Sequence, residues 1–457
     1  MAVSLLLRVW LLLREKETLG TLKEGLKALP LASKCLLGFL LFTILSALLS
    51  PHPGTFWGTF RQEGVLSIGI YILSALLLSI YFRPRKWMLF LLGMGLLLTS
   101  LLSLVQLTGA NPFMLYPPGH NYYGAGIYYS GEFLSTIGNA GLLAGFLSLA
   151  VGLLAMTLVK FDCKERWVLA LPFFLGTLLI FEMGIYAALF ALLVGVVLLL
   201  PVAVTEQRTL ANTLLVLAMI LMAFTLSQVL IFQDGPILFA PVPIPLVIAS
   251  GFFLFFALFA KKSRIFTDIP YQWYRLGTAF VVFGSLFFAL FALWRYSGAP
   301  TGMVYEASQI LQGNWDDTFG TRRIYIWRNV LELLRLETLL LGTGPDTLGH
   351  WPIPPFTRYL EDFGITITSG IDAAHNEYLH ILATGGLLSL LAYLGALLVA
   401  AVHWVRKPQN ALSAVAGTGV LFYAIQAFFG ISQFLVAPFF WACFGVLLYA
   451  QSQGETF

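Results

Sequence analysis

Apolar runs of about twenty residues recur along this chain from residue 34 to residue 451, and most are separated by only a short charged loop. Roughly 20 apolar residues cross the hydrocarbon layer of a bilayer as a helix. Lipid offers a backbone no hydrogen-bond partner, so such runs are driven to helices that bond internally. A soluble core is excluded by composition: 59% of the residues are hydrophobic and 11% charged, against roughly 25% charged in soluble domains. The runs lie near 34–50, 64–82, 87–108, 139–159, 168–182, 184–202, 211–232, 244–260, 276–295, 377–403, 410–430 and 434–451. The fifth and sixth are short and meet at a tight turn, Glu182–Met183–Gly184. The expected fold is an all-α polytopic membrane protein of about twelve transmembrane helices.

The charges sort by side. Arg83, Arg85, Lys86, Lys160, Lys164, Arg166, Arg208, Lys261, Lys262, Arg264, Arg406 and Lys407 fall in alternate loops, together with the basic amino-terminal stretch. By the positive-inside rule that side is cytoplasmic, as are both termini. The opening stretch, MAVSLLLRVWLLLREKETLG, has its apolar run broken by Arg8 and no small-residue cleavage site, so it reads as an amphipathic helix on the inner leaflet. Cys35, Cys163 and Cys443 have no paired spacing and read as small apolar residues.

Every lysine falls on the cytoplasmic side, whereas the exoplasmic basic residues are all arginine: Arg61, Arg295, Arg322, Arg323, Arg328, Arg335 and Arg358. Guanidinium is a planar bidentate donor suited to phosphate; the lysine ammonium is a hydrated point charge. Pairing with Asp316, Asp317, Glu332 and Glu337 accounts for any single arginine, and an external anionic ligand accounts for the set. His52, His120, His350, His375 and His380 also lie on that face.

The organisation expected from these features is an interfacial segment over 1–33, nine spans over 34–296, a large exoplasmic loop over 297–376, three further spans over 377–451 and a cytoplasmic tail over 452–457. A loop of about 80 residues without structure of its own is unusual. Within it, TRRIYIWRNVLELLRLETLLLGTG repeats Ile324, Trp327, Val330, Leu331 and Leu334 at helical spacing and carries too many charges to cross, which predicts an amphipathic helix. Gly342, Gly344 and Pro345 are expected to end it. The aromatic, Pro-rich GHWPIPPFTRYL that follows reads as an interfacial segment. The loop closes on GIDAAHNEYLHILATGGLLSLLAYL, a polar head leading straight into what reads as an uninterrupted apolar helix.

Taken in order, RRIYIWRNVLELL, LLLGTGPDTLG and HNEYLHILATGGLLSLLAYL resemble the O-antigen ligase and polymerase superfamily, with Arg323 and Trp327, Gly342 and Gly344, then His375, Asn376 and Leu379 at the family's motif positions. LSTIGNAGLLAGFL is similar to the family's Asn-rich helix start, with Asn139 present and Gly141 replacing the second asparagine. GTFRQEGVLSIGIYI is similar to its early arginine loop through Arg61. Family ligases also carry a phosphate-binding arginine in the loop that is here FQDGPILFAPVP, which has none; Arg61 or Arg322 is the candidate for that place.

The resemblance implies a transferase that takes a glycan from an undecaprenyl-diphosphate carrier at the outer face of the bacterial cytoplasmic membrane, without a metal or other cofactor and with inversion. His375 would be the base for the acceptor hydroxyl, since histidine is unprotonated near neutrality. Arg323, Arg322 and Arg61 would hold the diphosphate, with Asn376, Glu377, Trp327 and Asn139 in support. Asn376 can cap the helix, and Glu377 suits its positive start. That start would also keep the ring neutral, so the rate should rise with pH through a group near or below ~6.5. The partners are the lipid-linked glycan, an acceptor glycolipid, glycan or protein, and membrane lipid; nucleic acid is not among them. A transporter or flippase is the reading from another class, and it would need ionisable residues at mid-membrane, of which the spans hold almost none, Glu182 sitting at a turn.

Overall fold

A computed structural model describes residues 29–124, 133–360, 365–406, 410–432 and 434–452. The stretch up to residue 28, where an interfacial helix is expected, lies outside the described residues, as does the tail from 453. A helix occupies each of the twelve expected stretches. The first nine are α1 (Leu31–Leu49), α2 (Val65–Tyr81), α3 (Lys86–Gln106), α4 (Ala140–Lys160), α5 (Ala170–Met183), α6 (Tyr186–Ala203), α7 (Gln207–Val229), α8 (Ile244–Lys262) and α9 (Tyr271–Trp294). The loop holds α10 (Met303–Leu311), α11 (Phe319–Leu333) and the single turn α12 (Leu336–Leu339). Then come α13 (Glu377–Arg406), α14 (Ala411–Gln426) and α15 (Ala437–Ser452). Among the described residues nine helices are long and apolar enough to cross a membrane, α5 counting from Lys164. The other three, α2, α14 and α15, are apolar but shorter, at 17, 16 and 16 residues.

Local chemistry explains several boundaries. Gly184 ends α5 in the left-handed region (φ 61°), where a residue without a Cβ is unstrained. The Thr209 hydroxyl accepts from the Glu206 backbone N–H (3.0 Å) in a capping box that starts α7 earlier than hydropathy alone places it.

Nearly every residue of α4 is buried; it packs against α3, α5, α6, α7 and α14 and forms the axis of the bundle. By contrast α8 and α9 turn most of their residues outward, as lipid-facing helices do. The chain is not wholly helical. Among the described residues three short antiparallel pairs join Phe133–Leu134 (β1) to Gly138–Asn139 (β2), Leu230–Ile231 (β3) to Leu238–Phe239 (β4), and Phe356–Leu360 (β5) to Ile365–Ser369 (β6).

Two expectations about the loop and the helix after it are corrected. The helix is not uninterrupted: α13 breaks at Gly386, whose φ of 82° and ψ of 174° leave the helical region. The loop inserts at the break. The Gly344 backbone N–H and the Ser46 hydroxyl donate to the carbonyl of Thr384 (2.8 and 2.9 Å), and the Leu388 N–H donates to the carbonyl of Leu340 (3.2 Å). Backbone groups freed inside an apolar layer must find such partners, and here the loop supplies them.

The loop helix, in turn, ends at Leu333 rather than at the glycines. Gly342 and Gly344 permit close approach instead: a Cβ at 342 would collide with the backbone of Thr384, and one at 344 would lie 2.5 Å from Ser50 Oγ. Both glycines have positive φ, 70° and 108°.

The loop has a core of its own. Ile326, Val330, Leu348, Ile353, Ile371, Ala374 and Ala383 are buried together, with Trp327, Trp351 and Phe356 packed on them. GHWPIPPFTRYL therefore folds inward through Ile353 and continues as β5. On α11 the buried positions are Ile324, Ile326 and Val330, whereas Leu331 is exposed. The docked face runs through Arg323, Ile326, Trp327 and Val330, slightly rotated from the face hydropathy suggests.

Candidate functional site

One cavity of about 960 Å³ lies between the loop and the bundle. His375, Arg61, Arg322, Arg323 and Asn139 line it, so it gathers the expected base and the three expected clamps from separate stretches of chain. Asn376, Glu377 and Trp327 are not in its wall; each supports a residue that is.

His375 sits on the last loop residues before α13 with a φ of 48°, a left-handed conformation uncommon for a residue with a Cβ. Two contacts flank it. The Trp327 indole N–H donates to the carbonyl of Ala374 (3.0 Å), and the Asn376 side-chain oxygen accepts from the Leu379 backbone N–H (3.0 Å), capping the helix as expected. The imidazole makes no hydrogen bond among the described residues. Burial, with the charges of Arg323 and Arg61 adding to it, lowers its pKa to about 4, so the ring is neutral at pH 7.

Arg323 begins the regular part of α11, because Gly320, Thr321 and Arg322 before it all have positive φ. Its Nε donates to the carbonyl of Phe429 (3.2 Å) and its Nη1 to the carbonyl of Gly320 and the hydroxyl of Thr321 (2.8 and 2.9 Å). No carboxylate pairs with it among the described residues, and burial lowers its pKa. Arg322 lies over the Phe356 ring, 5.2 Å from its centroid, and it too lacks an acidic partner among these residues. A guanidinium held over an aromatic face keeps its N–H edge available. Arg61 differs: its Nη2 is 2.6 Å from Asp372 Oδ1 in a partly exposed ion pair.

Glu377 does more than favour a helix start. Its carboxylate is buried and accepts from the hydroxyls of Tyr393 (2.8 Å) and Tyr423 (2.7 Å), while its backbone N–H donates to the carbonyl of Ala427 (2.9 Å). That set ties the start of α13 to α14. Asn139 caps α4, accepting from the N–H groups of Gly141 and Leu142 (2.8 and 3.2 Å). Gly141 fits there because a Cβ would stand 3.1 Å from the Asn139 oxygen.

Sequence reasoning passed over three acids. Asp346, inside the quoted LLLGTGPDTLG, is buried and accepts from the backbone N–H groups of Phe60 (2.8 Å) and Arg61 (2.7 Å), holding the arginine's loop. Asp372, three residues before His375, pairs with Arg61. Glu63 is buried against the Tyr71 hydroxyl (2.9 Å); burial pushes its pKa up to about 7 despite that hydrogen bond, with the nearby Glu377 adding to the rise. Asp346, Glu63, Glu377 and His380 line a second cavity of about 70 Å³, whose wall shares Arg61 and Ile431 with the larger one. The signal for these acids was their place inside the motifs; the partners of Asp346 and Asp372 are hundreds of residues away, whereas Tyr71 is eight residues from Glu63.

Residues 244–394 match the family model described as O-Antigen ligase. Over that stretch the chain is similar to the O-antigen ligase family. The match spans about a third of the chain and runs from α8 through the loop into α13. It contains Arg322, Arg323, Trp327, His375, Asn376 and Glu377, whereas Arg61 and Asn139 lie outside it. No curated protein matches the chain. The family match and the apolar helices together indicate a membrane protein similar to O-antigen ligases.

Proposed function

We propose that this protein, similar to O-antigen ligases, transfers a glycan from undecaprenyl diphosphate to an acceptor hydroxyl at the outer face of the bacterial cytoplasmic membrane. What supports the reading is the cavity that places His375 among Arg61, Arg322 and Arg323. His375 is the base, and the arginines bind the diphosphate. The neutral imidazole removes the hydroxyl proton, and the acceptor oxygen attacks the anomeric carbon on the face opposite the carrier. The bond from that carbon to the diphosphate oxygen breaks, and the arginines stabilise the charge left on the leaving group without a metal. The products are the inverted glycoside, undecaprenyl diphosphate and a proton on His375, which passes to water. Trp327, Asn376, Glu377 and Asn139 position the groups that touch substrate.

In this reading all twelve apolar helices span, both termini are cytoplasmic, and 297–376 lies outside. Cysteines at Gly313 or Pro352 then react with an impermeant thiol reagent from outside the cell, and one at Ser263 does not. The reverse pattern places the cavity on the wrong face. The activity itself is tested with purified protein in vesicles, lipid-linked glycan, and three acceptors in turn: a lipid A core, a second lipid-linked repeat, and a Ser/Thr peptide. Release of undecaprenyl diphosphate with one acceptor assigns a ligase, a polymerase or a protein transferase respectively. Release with none rejects the transferase reading.

A further inference from the structure

Gln426, the last residue of α14, is buried at 6% exposure yet lines the large cavity. Its side-chain amide makes no hydrogen bond among the described residues. Gly430 keeps space beside it, since a Cβ there would lie 2.6 Å from Gln426 Nε2, and Gly145 borders it at contact distance. The amide therefore sits in a slot between α4 and the turn after α14. That turn also carries the Phe429 carbonyl that accepts from Arg323 Nε (3.2 Å), so Phe429–Gly430, at one corner of the cavity, touches both side chains.

The amide has no protein partner among the described residues and borders the cavity, so a ligand or water there can supply its acceptor. A phosphate oxygen in that corner would meet one charged and one neutral donor. The neutral donor adds a hydrogen bond without placing a further cation beside His375, where added positive charge would weaken the base.

We propose that Gln426 donates its amide N–H to the diphosphate of the lipid-linked donor, beside Arg323. This rests on the transferase reading above, and undecaprenyl diphosphate alone serves as the probe. Its binding is measured with the full-length protein in nanodiscs, with thermal unfolding of each variant recorded alongside. Gln426→Glu keeps the shape and replaces a donor by an anion, so binding should weaken by about tenfold or more while the unfolding temperature is held. Gln426→Leu removes the donor without adding charge and should weaken binding less than the glutamate does. A side chain that only fills the slot gives the opposite order: the isosteric glutamate binds like wild type and the leucine does not. That order overturns the proposal. If Gln426→Glu unfolds, Gln426→Leu decides alone, and binding within twofold of wild type rejects the contact. Wild-type protein that fails to bind the probe removes the donor reading itself. Wild-type binding that Arg323→Lys weakens and neither Gln426 variant changes removes only this inference.

Discussion

Arg323 and Arg328 stand on one helix, α11, and the fold treats them in opposite ways. Arg328 faces outward and pairs with Asp317 (2.9 Å), both side chains being close to half-exposed. Arg323 lies on the docked face with Ile326 and Trp327, is held by carbonyls, and has no acidic partner among the described residues. An exposed pair in water is of little energetic consequence, whereas a buried cation without an anion is costly and needs a reason. The difference separates an arginine that solubilises the loop from one that is kept available. It also divides the expected pairing of loop arginines with loop acids, which holds for Arg328 and fails for Arg322 and Arg323.

The largest effect is expected at His375, the proposed base, which lines the cavity with Arg323 and not with Arg328. His375→Ala should lower turnover by about 10²–10⁴-fold, the contribution of a positioned base, with the protein still folded in membranes. Because its pKa is lowered to about 4, the imidazole is neutral throughout the neutral range, as the proposed base must be. The rate should stay level there and fall only as pH drops through about 4, and this limb should be absent in the alanine variant. A limb near the ordinary histidine value, or one that survives the substitution, assigns the titration to another group.

A smaller effect is expected at Arg323. Arg323→Lys keeps the charge but loses the planar fork, and it should slow transfer by roughly 10–100-fold, the equivalent of one charged hydrogen bond of ~1.5–3 kcal/mol. Wild-type turnover by the lysine variant would make this arginine a structural tie to Phe429 and erase the contrast with Arg328. The smallest effect belongs to Arg328→Ala. Its turnover should equal wild type, and denaturant unfolding should shift by no more than about 1 kcal/mol. A large loss at this position would show that the outward face of α11 also meets substrate.

Hydropathy located every helix of the bundle because each apolar run is a local signal, read within a few turns of its own sequence. The Asn376 cap and the Gly184 turn were legible for the same reason, since side chain and recipient lie within three residues or a single backbone angle. The break in α13 was not. Gly385–Gly386 interrupts no hydropathy pattern, and the helix opens there only because the segment from Leu340 to Gly344 supplies hydrogen bonds from outside it. Asp346, Asp372 and Gln426 were invisible as well. Asp346 meets the backbone of Arg61 across 285 positions of chain, and Arg61 reaches Asp372 across 311. The sequence by itself determined a helical membrane bundle, a structured loop, and the residue types able to handle a diphosphate and a hydroxyl. Which arginines keep an acid and which face the cavity alone was decided by tertiary structure, because burial and charge pairing depend on contacts between segments that no local spacing encodes.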